Sequence, residues 1–221
     1  LILGPDNWEA LGAQIAQLLA DEVANQRALA AAYVPPSGDP AVFSGDYAIR
    51  VFHEVSDPWE MFKDPTEPPV VSVRCAGGDL IPVETKVTEQ VYTWRYYLDI
   101  GAAGQAADTA TGHLPGDQDA AIRIQRAIRL IRQILSSGPN QYLQKRGIVG
   151  WRRLSGVEIF QPDRKDITQP TLDHIAAARI LLEAKVRDVS PEYQGEPLED
   201  VAVDLKKGQD GSIIAQVQNP V

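Results

Sequence analysis

The segment 117–153, DQDAAIRIQRAIRLIRQILSSGPNQYLQKRGIVGWRR, decides the fold, because it holds the most regular helical pattern in the chain and reverses the chain's charge. Ala121, Ile124, Ile128, Ile131 and Leu135 recur at steps of three and four residues. On a 3.6-residue period this is one apolar face, so the spacing predicts a core-facing amphipathic helix. Arg123, Arg126, Arg129 and Arg132 recur every third residue and drift round the opposite flank as an inclined ridge. Between Ala120 and Val157 there are eight Lys/Arg and no acid, which leaves thirteen basic residues against thirty acidic ones in the remainder. A one-signed stripe in an acidic chain needs water or a negative neighbour. Arg123, Arg126, Arg129, Arg132, Lys145, Arg146, Arg152 and Arg153 are therefore the candidate site, an interface for which the acidic surface of an identical subunit is the nearest partner.

The chain has 221 residues, 44% of them hydrophobic, enough to bury a core. The expected fold is α/β (α+β): a mixed or mostly antiparallel sheet packed by an N-terminal helix and the central amphipathic helix. Residues 1–190 are expected to form a single domain with loop insertions at 56–69 and 101–116, and 191–221 a C-terminal extension with a hairpin. A net charge of −9 argues against a general nucleic-acid binder, since counterion release needs a positive surface. The single cysteine, Cys75, excludes an internal disulfide and a multi-cysteine zinc site, so no oxidising compartment is needed. No run approaches eighteen apolar residues and no basic region precedes Leu1-Ile2-Leu3, so neither a membrane span nor a signal peptide is expected.

Asp6 and Glu9 have capping-box spacing ahead of a helix from Asn7 to Ala32, whose buried stripe is Trp8, Leu11, Ile15, Leu18, Leu19 and Val23. The run Ala28 to Ala32 offers little to bury, and Pro35, Pro36, Gly38 and Pro40 forbid further helix. Alternation predicts a strand at Tyr47–Val55, a second at Val70–Cys75 closed by a turn at Gly77-Gly78-Asp79, and a long one from Thr85 to Ile100. Apolar residues on both faces near Ile100 imply cover on both, by helices on one side and by a neighbouring subunit on the other. Asp57 to Pro69 reads as an irregular loop whose Trp59, Met61 and Phe62 are held down on something, and Gly101 to Pro115 as a mobile loop. Ser136-Ser137-Gly138-Pro139 stops the basic helix, Ile148–Phe160 is a further strand, and Pro162–Pro170 is a charged loop. His174–Val189 alternates for a dozen residues and reads as strand, although its alanines also suit a helix. Val201, Val203 and Leu205, then Lys206 to Gly211, then Ile213, Ala215 and Val217 form a hairpin pattern.

Catalytic signatures are missing: the chain has no GxGxxG, P-loop, HExxH, CxxC or GxSxG. Cys75 falls on the apolar face of its strand with Val71 and Val73, where cysteine behaves as a small hydrophobe rather than a nucleophile. His53, His113 and His174 share no ligand spacing. The acidic loop Asp57, Glu60, Asp64 and Glu67 lacks a calcium pattern, and Gly101-Ala102-Ala103-Gly104 does not lead directly into a helix as a phosphate cradle would. No catalytic residue, metal or cofactor is assigned.

The order of elements nevertheless has a likeness. The N-terminal helix, the strands Tyr47–Glu54 and Val70–Cys75, the long strand Val87–Ile100, the helix carrying Ala121-Ile122-Arg123-Ile124-Gln125 to Leu135, and strands ending in Arg179-Ile180-Leu181-Leu182-Glu183-Ala184-Lys185-Val186 together resemble tail terminator and neck proteins of tailed bacteriophages. The resemblance is one of pattern and runs from about Ala10 to Ser190. It implies a non-enzymatic virion protein, made in the host cytoplasm, that assembles as a ring, usually a hexamer, at the head-proximal end of the tail. There it stops growth of the tube and joins the tail to the neck or head connector. Its partners would be the tail tube protein, the connector and, in contractile tails, the sheath; neither a membrane nor sequence-specific nucleic acid is implied. Two readings of other classes remain: a small hydrolase or transferase with acids and His53 or His174 around a pocket, and a nucleic-acid module presenting Arg123 to Arg153 on one outward face.

Overall fold

The structure is a computed structural model that describes residues 7–34, 44–84, 89–109, 112–162, 174–189, 203–207 and 213–217. Helix α1 (Asn7–Ala32) is followed by β1 (Arg50–His53), β2 (Val70–Leu80), β3 (Glu89–Ala103), a small hairpin β4 (Ala107–Thr109) and β5 (Gly112–Leu114), helix α2 (Gly116–Ser136), β6 (Val149–Phe160) and β7 (Ile175–Val189). Strands β8 (Val203–Lys207) and β9 (Ile213–Val217) pair antiparallel in a sheet of their own, matching the expected hairpin. The main sheet has the order β1-β2-β3-β7-β6, parallel between β1 and β2 and antiparallel elsewhere, so the class is α+β with a mixed sheet. No helix among the described residues is long and apolar enough to cross a membrane.

Both helices lie on one face. The even-numbered positions of β3 and β7, among them Tyr96, Leu98, Ile100, Ile180, Leu182 and Ala184, meet Leu11, Ile15, Leu18 and Leu19 of α1 and Ile124, Ile131 and Leu135 of α2 in one buried cluster. Period two on the strands and period 3.6 on the helices bring these residues together, and the apolar face assigned to α2 is the buried one. Trp8 stacks on Trp94 with centroids 5.3 Å apart, and the Tyr96 hydroxyl donates to the Trp8 carbonyl (2.7 Å), which seats the first turn of α1. Burial pushes the Tyr96 phenol far above its ordinary value, so it is a donor at any working pH.

Among the described residues the opposite face is covered at one end only. Trp59 and Phe62 pack on Val70, Ala103, Ile175 and Ala177, and Trp59 meets Phe160 edge to face. The cover expected from a neighbouring subunit at this end is thus supplied by the chain's own 56–69 loop, whose aromatics are held down as the sequence suggested. Beyond the loop, this face is ionic. Asp99 is fully buried between the guanidiniums of Arg74 (3.0 Å) and Arg179 (2.6 and 3.2 Å), and both cations lie over the Tyr97 ring. A buried carboxylate is tolerated when it is this fully paired. Its bond to Asp99 also raises the Arg179 guanidinium above its ordinary value.

Several boundaries differ from expectation, each for a local reason. The strand expected at Tyr47–Val55 shrinks to β1, because 44–47 winds into a 3-10 turn and Glu54, at φ 56°, takes the left-handed conformation. The turn expected at Gly77-Gly78 is a β-bulge within β2: Gly77 has φ 111°, and a Cβ on Gly78 would lie 2.6 Å from the Trp94 ring. The loop expected from Gly101 begins as the last three residues of β3 and continues as the β4–β5 hairpin. His174–Val189 is strand from Ile175, as its alternation indicated. The capping residue Asp6, the proline-rich residues 35–40 and most of the charged loop 162–170 lie outside the described residues.

Ile131 has no exposed surface and sits at the centre of the α2–sheet contact. Ile131→Ala is expected to cost about 2–5 kcal/mol, from lost transfer energy plus the cavity left behind. Urea unfolding measures it, and a loss under about 1 kcal/mol would mean that α2 does not pack through this face.

Candidate functional site

Three residues along a helix turn it through about −60°, so the arginine ridge of α2 crosses from one flank to the other between Arg123 and Arg132. The structure accordingly separates the eight cations, and half of them act inside the subunit. Arg123 donates to the carbonyls of Pro65 (2.7 Å), Ala103 (2.5 Å) and Thr66 (3.2 Å), which pins the 56–69 loop to the end of β3. Arg126 pairs with Asp46 at 2.7 Å. Arg152 donates to the carbonyls of Ser137 (3.1 Å) and Asn140 (3.0 Å) just past the end of α2, where helix carbonyls need donors. Burial lowers its guanidinium below the ordinary value. Arg153 holds Glu183 through two contacts of 2.8 and 2.6 Å on the other face of the sheet. These four make contacts within the subunit.

Arg129 and Arg132 differ, having no side-chain partner among the described residues. They flank a groove of about 480 Å³ between α2 and β6, lined also by Gln125, Ile128, Gln133, Ser136, Val157 and Ile159. Val157 and Ile159 point to the helix side of the sheet, but β6 is the edge strand and α2 does not reach over them, so they are 42% and 56% exposed. The outer edge of β6 is unpaired in the sheet order, and bulges at 149/151 and 154/156 interrupt its inner register. A second, more polar hollow formed by Ser136, Ser137, Gly138, Gln141, Trp151 and Arg152 adjoins the groove at Ser136. Lys145 and Arg146 lie on the 141–148 turn, outside both hollows and with no side-chain partner among the described residues.

The other chemical candidates are occupied by structural work. The amide of Cys75 donates to Glu54, and burial raises its thiol above the ordinary value, which suppresses thiolate. His174 meets Asp117 at 2.5 Å and lies over the start of α2, where a Cβ on Gly116 would come within 2.2 Å of its ring. His113 pairs with Asp108 (2.8 Å) in the small hairpin, and His53 lies 3.6 Å from Glu54. In the acidic loop Glu67 is held by Arg50 (2.6 Å) and the Lys63 amide, while two bonds from Thr66 keep the Asp64 carboxyl below its ordinary value. Among the described residues no group of three or more His, Cys, Asp or Glu is placed to hold a metal ion. The sequence reading missed the exposure of Val157 and Ile159, since alternation alone does not say which strand is the edge.

Arg123→Ala is expected to loosen the 56–69 loop and cost about 1–3 kcal/mol, whereas Arg129→Ala with Arg132→Ala should leave stability within about 0.5 kcal/mol. Thermal unfolding and limited proteolysis around Pro65 separate the two; equal effects would contradict the division of the ridge. Comparison of the sequence with protein-family models and with curated proteins returns no match.

Proposed function

We propose that the chain is a structural subunit of a ring, of the tail-terminator or neck kind found in tailed bacteriophages, and that its work is done by protein–protein contact rather than catalysis. The observation that carries this reading is the combination at the β6 edge: exposed Val157 and Ile159 and, among the described residues, an unpaired strand edge and two arginines without side-chain partners. Apolar surface gains about 25 cal/mol per Å² on burial, and arginine is the cation most readily desolvated at an interface. A strand edge with such flanks is suited to a neighbouring chain. The element order of helix, strands, basic helix and strands supports the phage reading by resemblance. On this reading the partners are copies of the chain, the tail tube and the head connector, and the protein resides in the virion.

The nucleic-acid alternative loses support because Arg123, Arg126, Arg152 and Arg153 are spent on contacts within the subunit. Sedimentation velocity over a range of concentrations tests the proposal. A closed oligomer, six subunits in the expected case, is the predicted result. A monomer at every concentration and salt would overturn it.

A further inference from the structure

Along α1, Leu11, Ile15, Leu18, Leu19, Val23 and Ala30 are buried, but Leu29, on the line of Leu11 and Leu18, is 55% exposed, and Tyr33 and Val34, just past the last helical residue, are 52% and 85% exposed. Period 3.6 places Glu22 two turns before Leu29 on this side, with Asp21 next to it. Both carboxylates accept hydrogen bonds from neutral amides of the same helix, Gln17 to Asp21 and Asn25 and Gln26 to Glu22, and neither has a cation partner among the described residues. The last turns of α1 and the two residues after it therefore carry an apolar ridge with an acidic shoulder, and Arg27 falls on the opposite side of the helix by the 3.6-residue period. The groove at β6 is its complement, an apolar floor of Ile128, Val157 and Ile159 beside Arg129 and Arg132.

These two surfaces cannot meet within one copy. Helix α1 packs mainly over β1 and β2 and to a lesser extent against β7 and α2, and α2 packs over β3 and β7, while the groove lies past α2 at β6. Five strands at about 4.8 Å spacing put the two edges of the sheet roughly 20 Å apart. We infer that the C-terminal turns of α1 in one copy dock into the α2–β6 groove of the next, with Leu29 and Tyr33 on the apolar floor and Asp21 and Glu22 facing Arg129 and Arg132. This rests on the ring reading above and deepens it: two different surfaces on opposite sides of a subunit make a head-to-tail contact, the kind that closes into a ring when the rotation permits. Opposite charge sets the register of docking, and the apolar contact supplies the burial.

The test is a charge exchange read by sedimentation, with circular dichroism as a folding control, since none of the four charged side chains has an ion-pair partner among the described residues. Arg129→Glu with Arg132→Glu should raise the concentration needed for assembly by at least about a hundredfold, and so should Asp21→Lys with Glu22→Lys. The four changes combined in one chain should restore assembly, because the pairs are re-formed with reversed sign. Wild-type assembly that survives either double reversal, or that is lost and not regained in the combined variant, would overturn this docking while leaving the ring reading intact; the groove would then serve another occupant. A wild type that never assembles would overturn both.

Discussion

Antiparallel pairing of β3 with β7 along fifteen residues each is the constraint from which the rest of the structure follows. In its register Leu98 stands beside Ile180 and Ile100 beside Ala178 on the helix face, while Asp99 stands beside Arg179 on the other. A slip by one residue would send every apolar side chain to the wrong face and bring Asp99 under the helices. The register thus carries two demands at once, an apolar layer for α1 and α2 and a closed ionic pair beneath it. Arg74, arriving from β2, completes the pair from the other side.

What this centre supports is unequal at its margins. Two helices suffice to cover β1, β2, β3 and β7, but β6 adds one strand more than they can cover, and Val157 and Ile159 stay open although they alternate correctly for burial. At the other side Leu29, in the last turns of α1, and Tyr33, just past its end, stay half exposed although Ala30 between them is buried. The exposure at β6 comes from the width of the sheet rather than from misplaced residues. Among the described residues Asp21 and Glu22 on α1 and Arg129 and Arg132 on α2 have no ion-pair partner, so in the proposed docking the two margins are halves of a single contact.

Much of this was legible in the sequence wherever one period dominates. The apolar positions of α2, the stripe of α1 and the alternation of His174–Val189 translated directly into buried faces, because each reports a periodicity that only one kind of element satisfies. The strand at Val70–Cys75 was foreseen but cut short, since two glycines usually mark a turn and here make a bulge against Trp94. Of the eight cations, their count and spacing were readable but their partners were not: carbonyl acceptors such as Pro65, Ala103 and Ser137 leave no mark in sequence. The placement of Arg129 and Arg132 beside the β6 edge needed the strand order, which is a long-range property.

The central claim is that the β6 edge and the end of α1 are faces of one contact between copies. Backbone hydrogen exchange, followed at low and at high protein concentration, addresses it most directly, because amides at an interface are protected only when it forms. The account predicts that protection rises with concentration in Gly156–Phe160 and in the last two turns of α1 together, while the β3–β7 amides are protected at both. Protection unchanged in these two segments while other surfaces gain it, or gained in only one of them, would contradict the account.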